Sequence, residues 1–179
     1  MKRPEISSKY ERNLSHQTYD EGKYIADVKL IDFNFYTDDG GDFHEVARIT
    51  SNGTGFLGGF EVRQINRARL NPGLVKAFHL HLNQDEVWAV HPLDRLLVGL
   101  LDVRTGSKTE GVSMRLVLGG GKPKLLYIPR GVAHGAMVLG GTPVDVVCLV
   151  NQHFSSENPD EWRLSWDSLG KEFWEITKG

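Results

Sequence analysis

The sequence predicts an all-β protein, a sandwich or barrel of short strands, and three observations carry that prediction. Between Tyr24 and Val150, runs rich in Val, Ile, Leu and Phe recur at short intervals, each ended by a cluster of Gly, Asn, Asp or Pro. No strand–helix–strand rhythm interrupts them, which argues against a dinucleotide-binding α/β fold. With 179 residues, 40% of them hydrophobic, the chain fits one domain with a real core.

Taken in order, residues 1–22 are polar and without clear periodicity, and read as an N-terminal arm ahead of a single domain over residues 23–179. Strands are expected over residues 25–36, 43–50, 60–67, 75–82, 87–90, 96–103, 112–118, 125–128, 135–138 and 144–150. The Gly119-Gly120-Gly121 run lacks the lysine and the following helix of a phosphate-binding loop and reads as a hairpin turn. After Asn151 the chain turns polar and aromatic. Pro159-Asp160-Glu161 suits the first turn of a helix, so a short helical C-terminal segment is expected, with Trp162, Leu164, Trp166 and Leu169 covering one end of the barrel.

Charge excludes some partners. Twenty-one basic residues stand against 23 acidic ones, with no footprint for a nucleic acid polymer or an anionic membrane. No apolar run approaches membrane-spanning length and no leader-like N-terminus is present, so a cytoplasmic location is expected. Cys148 is the single cysteine. It sits in the apolar run V-D-V-V-C-L-V and reads as a small core residue.

The stretch K-A-F-H-L-H-L-N-Q-D-E, Lys76 to Glu86, carries the chemistry. His79 and His81, two apart on an extended run, share a face. Glu86 follows after a polar turn, and I-P-R-G-V-A-H later delivers His134 behind a Pro/Gly corner. Three imidazoles and a carboxylate are donors of the kind that bind Fe(II), Mn(II), Ni(II) or Zn(II). The pattern is similar to the two motifs of metal-binding cupins, which implies His79, His81, Glu86 and His134 as ligands. The alternative is a metal-free proton-transfer site that also uses histidines. His16, His44 and His91 lie among polar or turn residues and are expected to face solvent. Phe43, Phe60, Trp88 and Tyr127 sit in apolar runs and read first as core.

A broader set of motifs runs from about Asp38 to Trp174: D-D-G-G-D-F-H-E, then Gln64 and Asn66 as Q-x-N, then K-A-F-H, L-D-V-R-T-G-S-K-T, L-Y-I-P-R-G-V-A-H-G and W-D-S-L-G-K-E-F-W. In this order they resemble the dTDP-4-dehydrorhamnose 3,5-epimerase family, a metal-free branch of the cupin superfamily in deoxysugar synthesis. The resemblance implies a cupin jelly-roll barrel, a homodimer with exchanged N-terminal strands, no required cofactor, and a nucleotide sugar or other small polar metabolite as ligand. It further implies His79 as the base that removes a proton beside a C4 ketone, with Asp167 orienting it. Phe43, Glu45, Gln64, Asn66, Lys76, His134 and Trp166 become substrate contacts. Asp102 and Arg104 read as a structural salt bridge.

The departures from the family carry information too. The family lysine that supports the enolate oxygen aligns with Glu86 or Asp85, and the family tyrosine that returns the proton aligns with Phe154 or His153, of which only His153 carries a proton. The arginines of the first and third motifs are Gly40 and Lys76 here. A divalent ion held by the histidines and Glu86 would replace the missing cation; the alternatives are a metal-dependent cupin enzyme, an isomerase or dioxygenase on a small polar metabolite, and a sugar-binding cupin without catalysis.

Overall fold

The computed structural model describes residues 4–16 and 22–176. The rest of the expected arm lies outside the described residues; within it, a four-residue helix α1 (Ser8–Glu11) buries nothing. Fourteen strands follow in the described chain: β1 (Lys29–Asp32), β2 (Phe35–Asp38), β3 (Gly41–His44), β4 (Ile49–Thr50), β5 (Gly53–Thr54), β6 (Gln64–Leu70), β7 (Val75–Leu80), β8 (Glu86–Val90), β9 (Arg95–Asp102), β10 (Ser113–Gly119), β11 (Lys124–Ile128), β12 (Val132–Val138), β13 (Val144–Val150) and β14 (Trp162–Arg163).

Ten of these strands build two antiparallel sheets, ordered β1-β11-β8-β13-β6 and β10-β9-β12-β7-β14. The sheets face each other as a jelly roll. Alternation explains the layering: Leu96, Val98 and Leu100 of β9 point inward against Leu126, Ile128, Val90 and Val146 of the opposite sheet. The alternate residues serve the outside. Leu97, Ala133 and Phe78 turn to an outer cluster closed by Trp174, while Val87, Ala89, Leu125 and Leu149 are covered by the segment that includes Phe56, Phe60 and Val62.

Strand β7 breaks the alternation at one place. His134 pairs with His79 but Ala136 pairs with Lys76, so two steps along β12 face three along β7. That is a β-bulge. Val75, Ala77, Phe78 and Leu80 all join the outer cluster, whereas Lys76, His79 and His81 line the interior cavity.

Two expectations are corrected here. Pro159-Asp160-Glu161 starts no helix: the Asp160 carboxylate accepts the backbone N–H groups of Leu82, Asn83 and Gln84 at 2.9, 2.7 and 3.1 Å, fixing an irregular segment across the turn after β7. The helical element is instead a 3₁₀ turn at Lys171–Trp174. Trp162 and Trp166 stay 55% and 40% exposed, and the cap is made by Phe173 and Trp174 with Leu164 and Leu169 beneath. The expected tight turn at Gly119-Gly120-Gly121 is present: Gly120 and Gly121, both at positive φ, sit between Gly119 and Lys122, which form an antiparallel bridge, and the chain then passes from one sheet to the other.

The Asp102 motif is structural, as expected. Its fully buried carboxylate accepts from the Arg104 backbone and guanidinium, Ser107 and Thr109 at 2.6–3.1 Å. Arg104 then reaches the Ala26 carbonyl and Asp27, tying the start of the domain to the barrel.

Candidate functional site

At one end of the sandwich the inward residues change from apolar to polar and enclose a cavity of about 200 Å³. One sheet supplies Lys76, His79, His81 and His134; the other supplies Glu86, Trp88, Asn66 and Cys148. Ala68, Leu70, Ala136 and Val146 form an apolar wall. The His134 ring lies nearly parallel to that of His79, centroids 6.1 Å apart, because the two residues are register partners. Trp88 meets His134 edge-on at 5.2 Å.

Deepest in the cavity, His81 Nε2 stands 3.1 Å from Glu86 Oε1 and His134 Nε2 stands 3.5 Å from Glu86 Oε2. All three residues are buried. Each imidazole is anchored on its far side: His81 Nδ1 donates to the Asp160 carbonyl, and His134 Nδ1 to the Val132 carbonyl at 3.0 Å. A carbonyl only accepts, so both Nδ1 atoms carry hydrogen. Burial opposes a charge on His81, but the hydrogen bond and field of Glu86, with the Asp160 carbonyl, outweigh it and raise its pKa to about 9. For Glu86 the same burial is outweighed by His81 and His134, which lower its pKa. Burial keeps His134 neutral by lowering its pKa despite Glu86.

Nearer the mouth, His79 sits between two residues of the segment that carries β14. Its Nδ1 lies 3.6 Å from Glu161 Oε2, and its Nε2 accepts from Arg163 Nη1 at 3.1 Å. Burial first, then the Arg163 and His134 charges, lower its pKa, with Glu161 pulling the other way. The ring is therefore a neutral imidazole whose Nε2 lone pair faces the Arg163 guanidinium. Cys148 is no nucleophile. Burial drives its thiol pKa far up.

Several expected site residues fall elsewhere. Asp167 does not pair with His79: its carboxylate accepts from Ser165 Oγ, and the carboxylate beside His79 is Glu161. Trp166 does not line the cavity; its carbonyl accepts from Trp174 Nε1. Phe43, 68% exposed rather than core, and Glu45, paired with Arg48, line a separate groove of about 550 Å³ on the same chain. Gln64 bridges, giving a hydrogen bond to Asn66 and taking one from the Phe154 backbone. His153 lines an adjoining cavity of about 220 Å³ that shares His81 and Glu161 with the first. His79, expected among the metal ligands, stands apart from the tight group His81, Glu86 and His134. His44, expected in solvent, is half-buried against Phe33 and His91.

The turn separates the two acidic residues. Asp85 faces away from the cavity and is saturated by Arg130 and Asn151, with four hydrogen bonds of 2.9–3.0 Å, whereas Glu86 faces in. Sequence reasoning missed Glu161, Arg163, Asp160, Gln84 and the polar role of Trp88. Nothing in N-P-D-E-W-R announces that this stretch lies along β7, because the pairing of Trp162 with Leu80 and Arg163 with His79 spans the whole barrel.

Comparison with known proteins agrees with this architecture. Residues 23–173 match the family model described as dTDP-4-dehydrorhamnose 3,5-epimerase. The chain is 37% identical over 143 residues to the spore coat polysaccharide biosynthesis protein SpsL of Bacillus subtilis strain 168, covering 80% of this chain and 91% of that protein. The crystal structure of a dTDP sugar isomerase from Desulfovibrio desulfuricans G20 superposes with a TM-score of 0.70 at 24% identity, covering 86% of this chain and 91% of that one. A dTDP-6-deoxy-D-glucose-3,5-epimerase from Legionella pneumophila, solved with dTDP-4-keto-L-rhamnose, gives 0.65 at 22% identity, covering 80% and 75%. These two share the fold.

Proposed function

The chain belongs to the dTDP-4-dehydrorhamnose 3,5-epimerase family, and from that premise we propose that it is an epimerase acting on a nucleotide-linked 4-keto-6-deoxy sugar in cell-surface polysaccharide synthesis. The observation that carries this reading is His79, a neutral imidazole 3.6 Å from the Glu161 carboxylate on the wall of a cavity that a sugar ring fits. Removal of a proton beside a ketone needs a base that is unprotonated at neutral pH, and a lowered imidazole pKa provides one. Glu161 orients the ring through Nδ1 and stabilises the imidazolium as it forms. Arg163, exposed on β14, yields Nε2 to the substrate and turns to an anionic oxygen. Return of the proton falls to His153 of the adjoining cavity.

The protein acts as a homodimer in this reading. Tyr36 and Phe43 on the β2–β3 hairpin are 59% and 68% exposed, and an exchange of N-terminal strands would carry Phe43 and Glu45 to the cavity of the partner. Sedimentation then gives twice the chain mass, and Phe43→Ala raises KM for the nucleotide sugar with little change in kcat.

The decisive experiment is solvent deuterium exchange into dTDP-4-keto-6-deoxyglucose and related nucleotide keto sugars. Wild type incorporates deuterium beside the ketone, and His79→Asn slows this by roughly 10²–10⁴-fold. A sugar-binding protein without catalysis would exchange nothing, and equal exchange by His79→Asn would remove His79 as the base.

A further inference from the structure

We propose that His81, Glu86 and His134 form a binding site for one divalent first-row transition ion per chain, with His79 outside the ligand set. The three donor atoms lie within 4.8 Å of one another and come from both sheets, so the folded barrel brings them together without any mobile segment. With the ion displacing the proton that His81 Nε2 otherwise shares with Glu86, two imidazole nitrogens and one carboxylate suit Zn(II), Fe(II), Ni(II) or Mn(II).

The surroundings of the three residues are those of a ligand set. In metal sites a ligating histidine donates its second ring N–H to a carbonyl or carboxylate, and a ligating carboxylate is itself held by donors. Here each histidine gives Nδ1–H to a backbone carbonyl, Asp160 for His81 and Val132 for His134, which turns both Nε2 atoms to a common point. Glu86 is steadied by Gln84 Nε2 on Oε1 at 2.8 Å and by Trp88 Nε1 on Oε2 at 2.7 Å. Three ligands leave coordination positions open on the cavity side, where Lys76, His79 and Glu161 stand at the mouth.

His79 is not among the donors that lie within 4.8 Å of one another, and its Nδ1 faces Glu161 instead. The division leaves one imidazole free to serve as base beside an ion. That second role rests on the epimerase reading: a cation at Glu86 would stand where the family carries a lysine, and would draw negative charge onto a ketone oxygen as a Lewis acid.

The test is made without sugar, so it stands apart from catalysis. Untagged protein is stripped with chelator and titrated with Co²⁺, read by its visible absorption, with Zn²⁺ as competitor and elemental analysis for stoichiometry. One ion per chain at micromolar concentration is expected, with affinity at least tenfold weaker in Glu86→Gln and His81→Asn and unchanged in His79→Asn. Circular dichroism checks folding, and either ligand variant suffices. No bound ion in wild type, or an ion lost in His79→Asn but kept in Glu86→Gln, would overturn the site. Metal binding without deuterium exchange would leave the site standing and remove only the epimerase reading.

Discussion

Glu161 is the residue that most changes the picture of the base. It stands beside His79 in the place expected of Asp167, and its charge raises the His79 pKa against Arg163 and the neighbouring histidines. Replacing it with Gln removes a field that raises the His79 pKa, so that pKa falls further below its ordinary value near 6.5. The acid limb of kcat/KM therefore moves to lower pH while kcat drops, by less than in His79→Asn because Glu161 lies 3.6 Å away and partly in solvent. A pH–rate profile of the two variants checks both signs; an unmoved acid limb would return the orienting role to another group. His79, His81, Glu86 and His134 were legible because each sits on an apolar run whose period fixes its face. Glu161 and Arg163 were not, since they reach the site through a pairing across more than 80 residues of chain.

At the level of elements, the sequence marked all ten sandwich strands except β14, with edges displaced by a few residues. Apolar alternation survives wherever a strand has one buried face. What it could not show is the bulge in β7, because one extra outward residue looks like an ordinary apolar run, and the C-terminal cap, whose anchors follow a polar segment. The cap depends on a hole in β9. A Cβ on Gly99 would stand 2.5 Å from Phe173 Cε1 and 2.7 Å from Trp174 Cη2, so the two rings lie directly on the strand backbone. Gly99→Val is expected to lift the cap and cost about 1–3 kcal/mol of stability, read as a lower urea midpoint. Trp174→Ala, which empties the same cluster, costs about 3–5 kcal/mol.

Across the whole molecule, stability has a defined acid limit. The Asp102 carboxylate is held well below the usual range, chiefly by Arg104 with Ser107 and Thr109 adding to it against burial, and Asp85 and Asp160 are lowered despite burial by Arg130 and by backbone N–H groups. A depressed carboxylate contributes stability that is complete above its unfolded pKa, about 3.9, and is lost as pH falls through the folded value. The thermal midpoint should begin to fall below about pH 6.5, where His44, His79 and His134, their pKa values lowered by burial, take up protons more readily unfolded than folded, and should fall steeply below about pH 4 as the carboxylates follow. Asp102→Asn should flatten that fall and cost about 1–3 kcal/mol at pH 7. An acid-independent wild-type midpoint would show that these carboxylates titrate alike in both states.

The stagger in β7 has a last consequence. Because the supernumerary side chain points away from the cavity, the strand's two faces are uncoupled in length: shortening it by one residue would leave Lys76, His79 and His81 looking inward, yet would remove a root of the C-terminal tail. Insertions and deletions there would be felt as loosening of the tail long before they altered the reaction.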